Sequence, residues 1–223
     1  MVSSQTVSSQ TMSDFTDLKE DMTVLSLHVN VFRTLYAEDP ANVELLNTIA
    51  SGTFWVLQNA LHDSIVLRVA RLTDPPKMGG RDNLTLRALI EAVENDGDAQ
   101  LAQRLRKKYA DVETQTGPVI KLRHKVTAHT DRPTRRGAAP VPTVRIEELN
   151  QAVKSIGAFL NVFDHAVNES QAAYPLAIMD GEGEVLLRRL REAVAYRKKV
   201  PDWHLLGNPE RDRIRELLKN APV

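Results

Sequence analysis

The chain has 223 residues, 42% hydrophobic and 26% charged, with 29 Lys/Arg balanced by 29 Asp/Glu and no cysteine. Such a composition suits one large globular domain, or a domain with an appendage, and it excludes disulfides, thiolate chemistry and Cys-based zinc sites. No apolar run approaches the ~20 residues needed to cross a bilayer, and the first residues lack a signal peptide's basic start and apolar middle, so a cytoplasmic, non-membrane protein is expected.

The zero net charge conceals a segregation. Residues 1–101 carry 7 Lys/Arg against 14 Asp/Glu, whereas residues 102–136 carry 10 against 3. The basic segment suits a phosphate-bearing ligand. It equally suits a solvated cationic face lying against the acidic N-terminal half.

In chain order, Val2–Thr6 and Val7–Thr11 repeat the pentapeptide Val-Ser-Ser-Gln-Thr. Its polarity predicts a flexible tail over residues 1–13. Ser13 or Asp14 is expected to cap a first helix running to Ala37, with Leu18, Met22, Leu25, Val29, Phe32 and Tyr36 on one stripe. Asp39-Pro40 reads as the cap and first residue of a second helix. That helix, Ala41–Leu72, is expected to form an unbroken spine about 48 Å long, burying Leu46, Ile49, Thr53, Leu57, Ala60, Leu61, Ser64 and Ile65. Arg68 continues this stripe and Asp63 faces a second apolar row, and charges so placed need a partner or a water-filled site.

Thr73-Asp74-Pro75-Pro76 and Gly79-Gly80 form a loop. A short helix follows, with Leu86, Leu89, Ile90 and Val93 inward. A fourth helix starts near Ala99 with Leu101, Leu105, Tyr109, Val112, Thr116, Val119 and Ile120 on its seam. Gly117-Pro118 is expected to interrupt it, because an interior proline removes a backbone bond. Residues 130–145 read as a loop and Glu147–Ala172 as the most regular helix, with Leu149, Val153, Ile156, Phe159, Leu160, Phe163 and Val167 inward. Its His165 has no second ligand at metal spacing. Two shorter helices, Glu184–Lys198 and Pro209–Asn220, follow a joint anchored by Trp203. The fold class is all-α, with domain bounds of 1–13 for the tail, 14–172 for the bundle and 173–223 for a helical extension.

Chemistry concentrates in Lys121–Asp131, which holds two His, three cations and one carboxylate. Walker A, dinucleotide, zincin and nucleophile-elbow motifs are absent. Arg123 continues the seam of Val112, Thr116, Val119 and Ile120. On an ideal helix His129 lies ~120° from it, with Val126 between. A two-fold dimer seating this seam against itself brings two Arg and two His together. Those are the parts for metal-independent RNA cleavage, in which an imidazole moves a proton and a guanidinium holds the phosphate.

Arg123–His129, reading Arg-His-Lys-Val-Thr-Ala-His and followed by Thr-Asp, resembles the signature of HEPN domains: an Arg, a polar residue, a short spacer and a His late in a helical bundle. Upstream, Leu61-His62-Asp63-Ser64-Ile65-Val66-Leu67-Arg68, Leu72-Thr73-Asp74 and Asn83-Leu84-Thr85-Leu86 are similar to the AbiU-type abortive-infection branch. The resemblance covers roughly residues 15–172. It implies a homodimeric bundle of long antiparallel helices and a metal-independent endoribonuclease without a cofactor. It further implies a role in phage defence or toxin–antitoxin systems, with RNA and a cognate antitoxin protein as partners. Arg123 and His129 match the catalytic pair, and His124 takes the polar position more usually held by Asn. His124, Asp131, Asp63 and Arg68 are the expected supporting residues.

Two other readings stand beside this one. Arg123 pairs with an inward carboxylate such as Asp63 while His129 and Asp131 only finish the helix, where cations are favoured. Alternatively, the basic segment or the seam makes a non-catalytic module for RNA, nucleotide or a partner protein.

Overall fold

In the computed structural model, which describes residues 7–127, 143–172 and 181–199 with single positions 136, 207, 209, 212, 213 and 216, the first helix starts at Ser9. The expected caps, Ser13 and Asp14, therefore lie inside it, and residues 9–13 belong to the helix rather than the tail. Ser8 is the cap, its Oγ accepting from the Thr11 backbone N–H. The Asp96 carboxylate accepts from the Ser8 N–H at 2.9 Å and the Thr11 hydroxyl at 2.7 Å, fixing this entry to a distant turn.

Helix α1 (Ser9–Phe32) runs into a π-helical turn, Arg33–Ala37, and buries Phe15, Leu18, Met22, Leu25 and Val29. Each such side chain contributes about 1.5–3 kcal/mol of apolar transfer. Asp39 then caps α2 (Pro40–Thr73) by accepting from the Ala41 N–H. The two helices are antiparallel. Arg68 Nη1 reaches Asp21 Oδ1 at 3.3 Å, Ser64 Oγ meets His28 Nδ1 at 3.0 Å, and Tyr36 donates to the Phe54 carbonyl at 3.0 Å. Burial, and then the Arg68 charge, lower the pKa of His28 below the ordinary histidine value.

Two expectations for α2 are corrected. It is kinked at Ala50 (φ −162°, ψ 72°), immediately before Ser51-Gly52, the kind of small-residue pair at which helices bend. Its expected stripe is also only partly covered: Leu46 and Ile65 are buried, but Ile49, Thr53, Leu57 and Ala60 are exposed. Periodicity reports which residues share a face and says nothing of what covers it.

Strands β1 (Lys77–Met78) and β2 (Arg81–Asp82) pair antiparallel around Gly79 and Gly80 at φ 59° and 77°. Positive φ at both central residues is what a two-residue hairpin requires. This small pair was not expected, and the architecture remains all-α.

Helix α3 (Leu86–Asn95), capped by Thr85, buries the four expected residues. Helix α4 (Ala99–Leu122) passes through Pro118 without the expected interruption. The change in helix type comes at Arg123–Thr127, a second π-helical turn. Helix α5 (Ile146–Asn168) ends at Glu169, in the left-handed region at φ 51°, short of Ala172. It packs most extensively on α4, and Leu149, Val153, Ile156, Phe159, Leu160 and Phe163 enter the main core.

Helix α6 (Glu182–Lys199) packs on α1, the first π turn and α2, where Leu187 joins Leu35 and Leu46 in a second cluster. Gly183 is a close approach, since a Cβ there would lie 2.8 Å from Thr34 Cγ2. Among the described residues no helix is long and apolar enough to cross a membrane. Of the expected last helix, positions 209, 212, 213 and 216 are helical, whereas Trp203 lies outside the described residues.

Asp164, 2% exposed, accepts from Lys19 Nζ at 2.8 Å. Burial alone would raise its pKa, but hydrogen bonds from Lys19 and Asn168, with the Lys19 charge, outweigh it and hold the carboxyl below its ordinary value. A depressed folded pKa adds stability above the unfolded pKa that is lost as pH falls through the folded one. Lys19→Met is expected to cost about 1–3 kcal/mol in urea unfolding at pH 7. The deficit should shrink below about pH 4 as Asp164 protonates; a deficit constant down to pH 2 would refute this account of the pair. Gly183→Ala should cost roughly 1–3 kcal/mol by overpacking, and Thr34→Ser in the same chain should restore part of it.

Candidate functional site

Arg123 is the last-turn residue at which α4 widens into the second π-helical turn. Such i→i+5 turns are rare and occur frequently at functional sites. The ideal-helix angle expected between Arg123 and His129 does not apply across Arg123–Thr127. His129 and Asp131 themselves lie outside the described residues.

The Arg123 guanidinium meets the end of α2. Nη1 donates to Asp74 Oδ1 at 2.9 Å, with the side chains 21% and 17% exposed. Asp74 is the C-cap of α2, where the helix dipole disfavours a carboxylate; the guanidinium offsets that unfavourable field. Arg123 Nε is buried with no hydrogen-bond partner among the described residues. A planar guanidinium can hold a carboxylate on one edge and a phosphate on another, so the pair orients the group without using all its donors.

Neighbouring contacts fasten the same corner. The Tyr109 hydroxyl donates to the Thr73 carbonyl at 3.2 Å, and the Thr73 hydroxyl donates to the Val69 carbonyl at 2.9 Å. Tyr109 stands edge-on to Phe159 with centroids 6.1 Å apart, and the Arg87 guanidinium lies 6.0 Å from its ring centroid. Burial first, then the charges of Glu113 and Asp74 against an opposing effect of Arg87, push the Tyr109 pKa up to about 12. It is therefore a hydrogen-bond donor at neutral pH and no base.

The expected supporting residues do not gather here. Asp63 lies eleven residues before Asp74 on α2, roughly 16 Å along the helix, and is 57% exposed beside His62 at 3.7 Å. The alternative pairing of Arg123 with Asp63 is replaced by pairing with Asp74. Arg68 is engaged with Asp21, and His124 is exposed on the turn itself. An open cleft of about 390 Å³ between the hairpin, α3 and α1 does not include Arg123. Its walls carry Asp14, Asp82 and Glu91 against Lys77, which is the wrong sign for phosphate. Among the described residues no group of three His, Asp or Glu could hold a metal ion.

Asp74 and Tyr109 carry no motif that marks them for this corner: in sequence Asp74 reads as a helix stop before Pro75-Pro76 and Tyr109 as one residue of the α4 seam.

Residues 15–186 match the family model HEPN_AbiU2, described as AbiU2. The match begins where the resemblance did and continues past residue 172 into the first turn of α6. No curated protein and no solved structure matches the chain.

A double-mutant cycle tests the corner. Arg123→Ala and Asp74→Asn should each destabilise in chemical denaturation, and the double variant should show a coupling of about 1–3 kcal/mol. Strict additivity would mean that the ion pair contributes nothing to stability.

Proposed function

The chain belongs to the AbiU2 family of HEPN domains, and on that premise we propose that it is a metal-independent endoribonuclease acting through Arg123 and His129. The observation that carries the reading is the state of Arg123. It is held by Asp74, stands in a π-helical turn and remains one-fifth exposed. In this reading the RNA 2′-oxygen attacks phosphorus and the bond to the 5′-oxygen breaks. His129 moves the 2′-OH proton or the leaving-group proton, and Arg123 neutralises charge growing on the non-bridging oxygens. The products are a 2′,3′-cyclic phosphate and a 5′-hydroxyl. His124 and Asp131 orient these groups.

The basic run of residues 102–136 supports RNA as the substrate. The setting proposed is cytoplasmic phage defence or a toxin–antitoxin pair, with a homodimer as the working unit and an antitoxin protein as its regulator. A second reading is favoured by the same ion pair: Arg123 is structural, fastening α4 to α2, and the bundle binds RNA or a protein without cleaving.

Incubating cellular RNA with the wild type in the presence of EDTA should give cyclic-phosphate ends. His129→Ala should slow cleavage by about 10²–10⁴ and Arg123→Ala by about 10²–10³. No cleavage by any of the three, combined with salt-sensitive RNA binding that survives His129→Ala, would establish the non-catalytic module instead.

A further inference from the structure

Gly117-Pro118 has no part in the ribonuclease reading. Both residues are poor helix formers, yet α4 runs through them. They sit toward its solvent side. Gln103, Lys107, Ala110, Thr114, Gly117 and Lys121 recur at helical spacing, and all are exposed except the half-buried Gly117. This stripe contains no carboxylate, although the exposed face of a helix commonly alternates both signs of charge. Of the neighbouring cations, Arg106 is taken up by Glu94 and Lys108 by Asp111, whereas Lys107 and Lys121 enter no ion pair among the described residues.

Gly117 and Pro118 shape the space between these two lysines. Nothing lies within 4 Å of a Cβ added at Gly117, so the backbone of a ligand can approach the helix closely there. Pro118 has no N–H, which deprives the Thr114 carbonyl, one turn earlier on the exposed stripe, of its helical donor. The Thr114 hydroxyl is turned back to the Ala110 carbonyl at 3.0 Å. The stripe therefore offers two cations with a backbone acceptor between them. Phosphates meet the first, and a ribose 2′-hydroxyl, the donor by which a protein tells RNA from DNA, meets the second.

The same stripe selects the form of the RNA. Unpaired strands are held by stacking their bases on aromatic rings, whereas base-paired RNA is recognised by shape through its phosphates and 2′-hydroxyls. The single aromatic residue of α4, Tyr109, faces the core and is 6% exposed. Lys107 and Lys121 stand about 21 Å apart along the axis, and Lys121 lies two residues before Arg123. We infer that this face of α4 holds a base-paired RNA stem, with Lys107 and Lys121 on its phosphates and the Thr114 carbonyl accepting from a 2′-hydroxyl between them, and so leads the strand to Arg123. The inference rests on the ribonuclease reading for its ligand and adds the form in which that ligand is bound.

Binding is measured by fluorescence anisotropy with the full-length His129→Ala chain in EDTA, so the readout does not depend on cleavage. The probes are a labelled RNA hairpin, an unpaired oligouridylate of equal length and a DNA hairpin of the same sequence. The RNA hairpin should bind most tightly. Lys107→Ala and Lys121→Ala should each lower the slope of log affinity against log salt by about 1, whereas Lys154→Ala, at an exposed lysine of α5, should leave it unchanged. Gly117→Glu should weaken binding of the RNA hairpin. Pro118→Ala, which restores the missing N–H, should weaken the RNA hairpin and spare the DNA hairpin. Both of these replacements raise helix propensity, so unfolding does not account for a loss. Equal binding of the unpaired strand, an equal change of slope at Lys154→Ala, or undiminished binding by the lysine and Gly117 variants overturns the inference. An unchanged preference for RNA over DNA in Pro118→Ala overturns the role of the Thr114 carbonyl. A wild type that binds in this way and cuts nothing removes the ribonuclease reading alone; cleavage with binding indifferent to the stripe removes this inference alone.

Discussion

The corner where α2 ends against α4 is held by two polar contacts, Arg123 to Asp74 and Tyr109 to Thr73. Without them the carboxylate at the C-terminus of α2 would sit unopposed in an unfavourable helix field. The guanidinium would then have no fixed orientation. The same ion pair that argues for a structural Arg123 also makes it usable, since a side chain with several rotatable bonds must be restrained before it can hold an anion in a defined place. The two readings of Arg123 thus share one geometry and differ in whether its remaining donors meet phosphate.

The framework behind that corner is apolar. Helices α4 and α5 form the most extensive contact, with Tyr109, Val112 and Val119 meeting the core that contains Phe159 and Phe163. The α1–α2 hairpin closes over it, and Lys19 neutralises the buried Asp164. Helix α2 serves two environments. Its last third buries Ile65, Val66, Val69 and Leu72 in the main core, whereas its middle stands outside beyond the kink at Ala50. One helix thereby connects the Arg123 corner to a bare apolar face without mixing them.

Periodicity carried much of the fold into view. The buried faces of α1, α3, α4 and α5 follow the 3.6-residue repeat, because each of these helices has one face against the core and one toward water. It misjudged α2, where Ile49, Thr53, Leu57 and Ala60 keep the repeat yet remain exposed. It missed the start at Ser9 as well, because the capping contacts of Asp96 come from a residue 88 positions away from Ser8. Pro118 lies inside α4 without ending it, so an interior proline by itself did not locate the change of helix type, which comes at Arg123–Thr127.

By itself, then, the sequence determined an all-α chain, its family through the Arg123 motif and upstream stretches, and an acidic half followed by a basic segment. These are local properties, written in composition, spacing and residue identity. Only the tertiary structure decided that Arg123 meets Asp74 rather than Asp63, that Arg68 is engaged with Asp21, and that the middle of α2 faces outward. Each depends on which residues far apart in the chain come within a few ångströms, and that is set by how the helices pack rather than by any one of them.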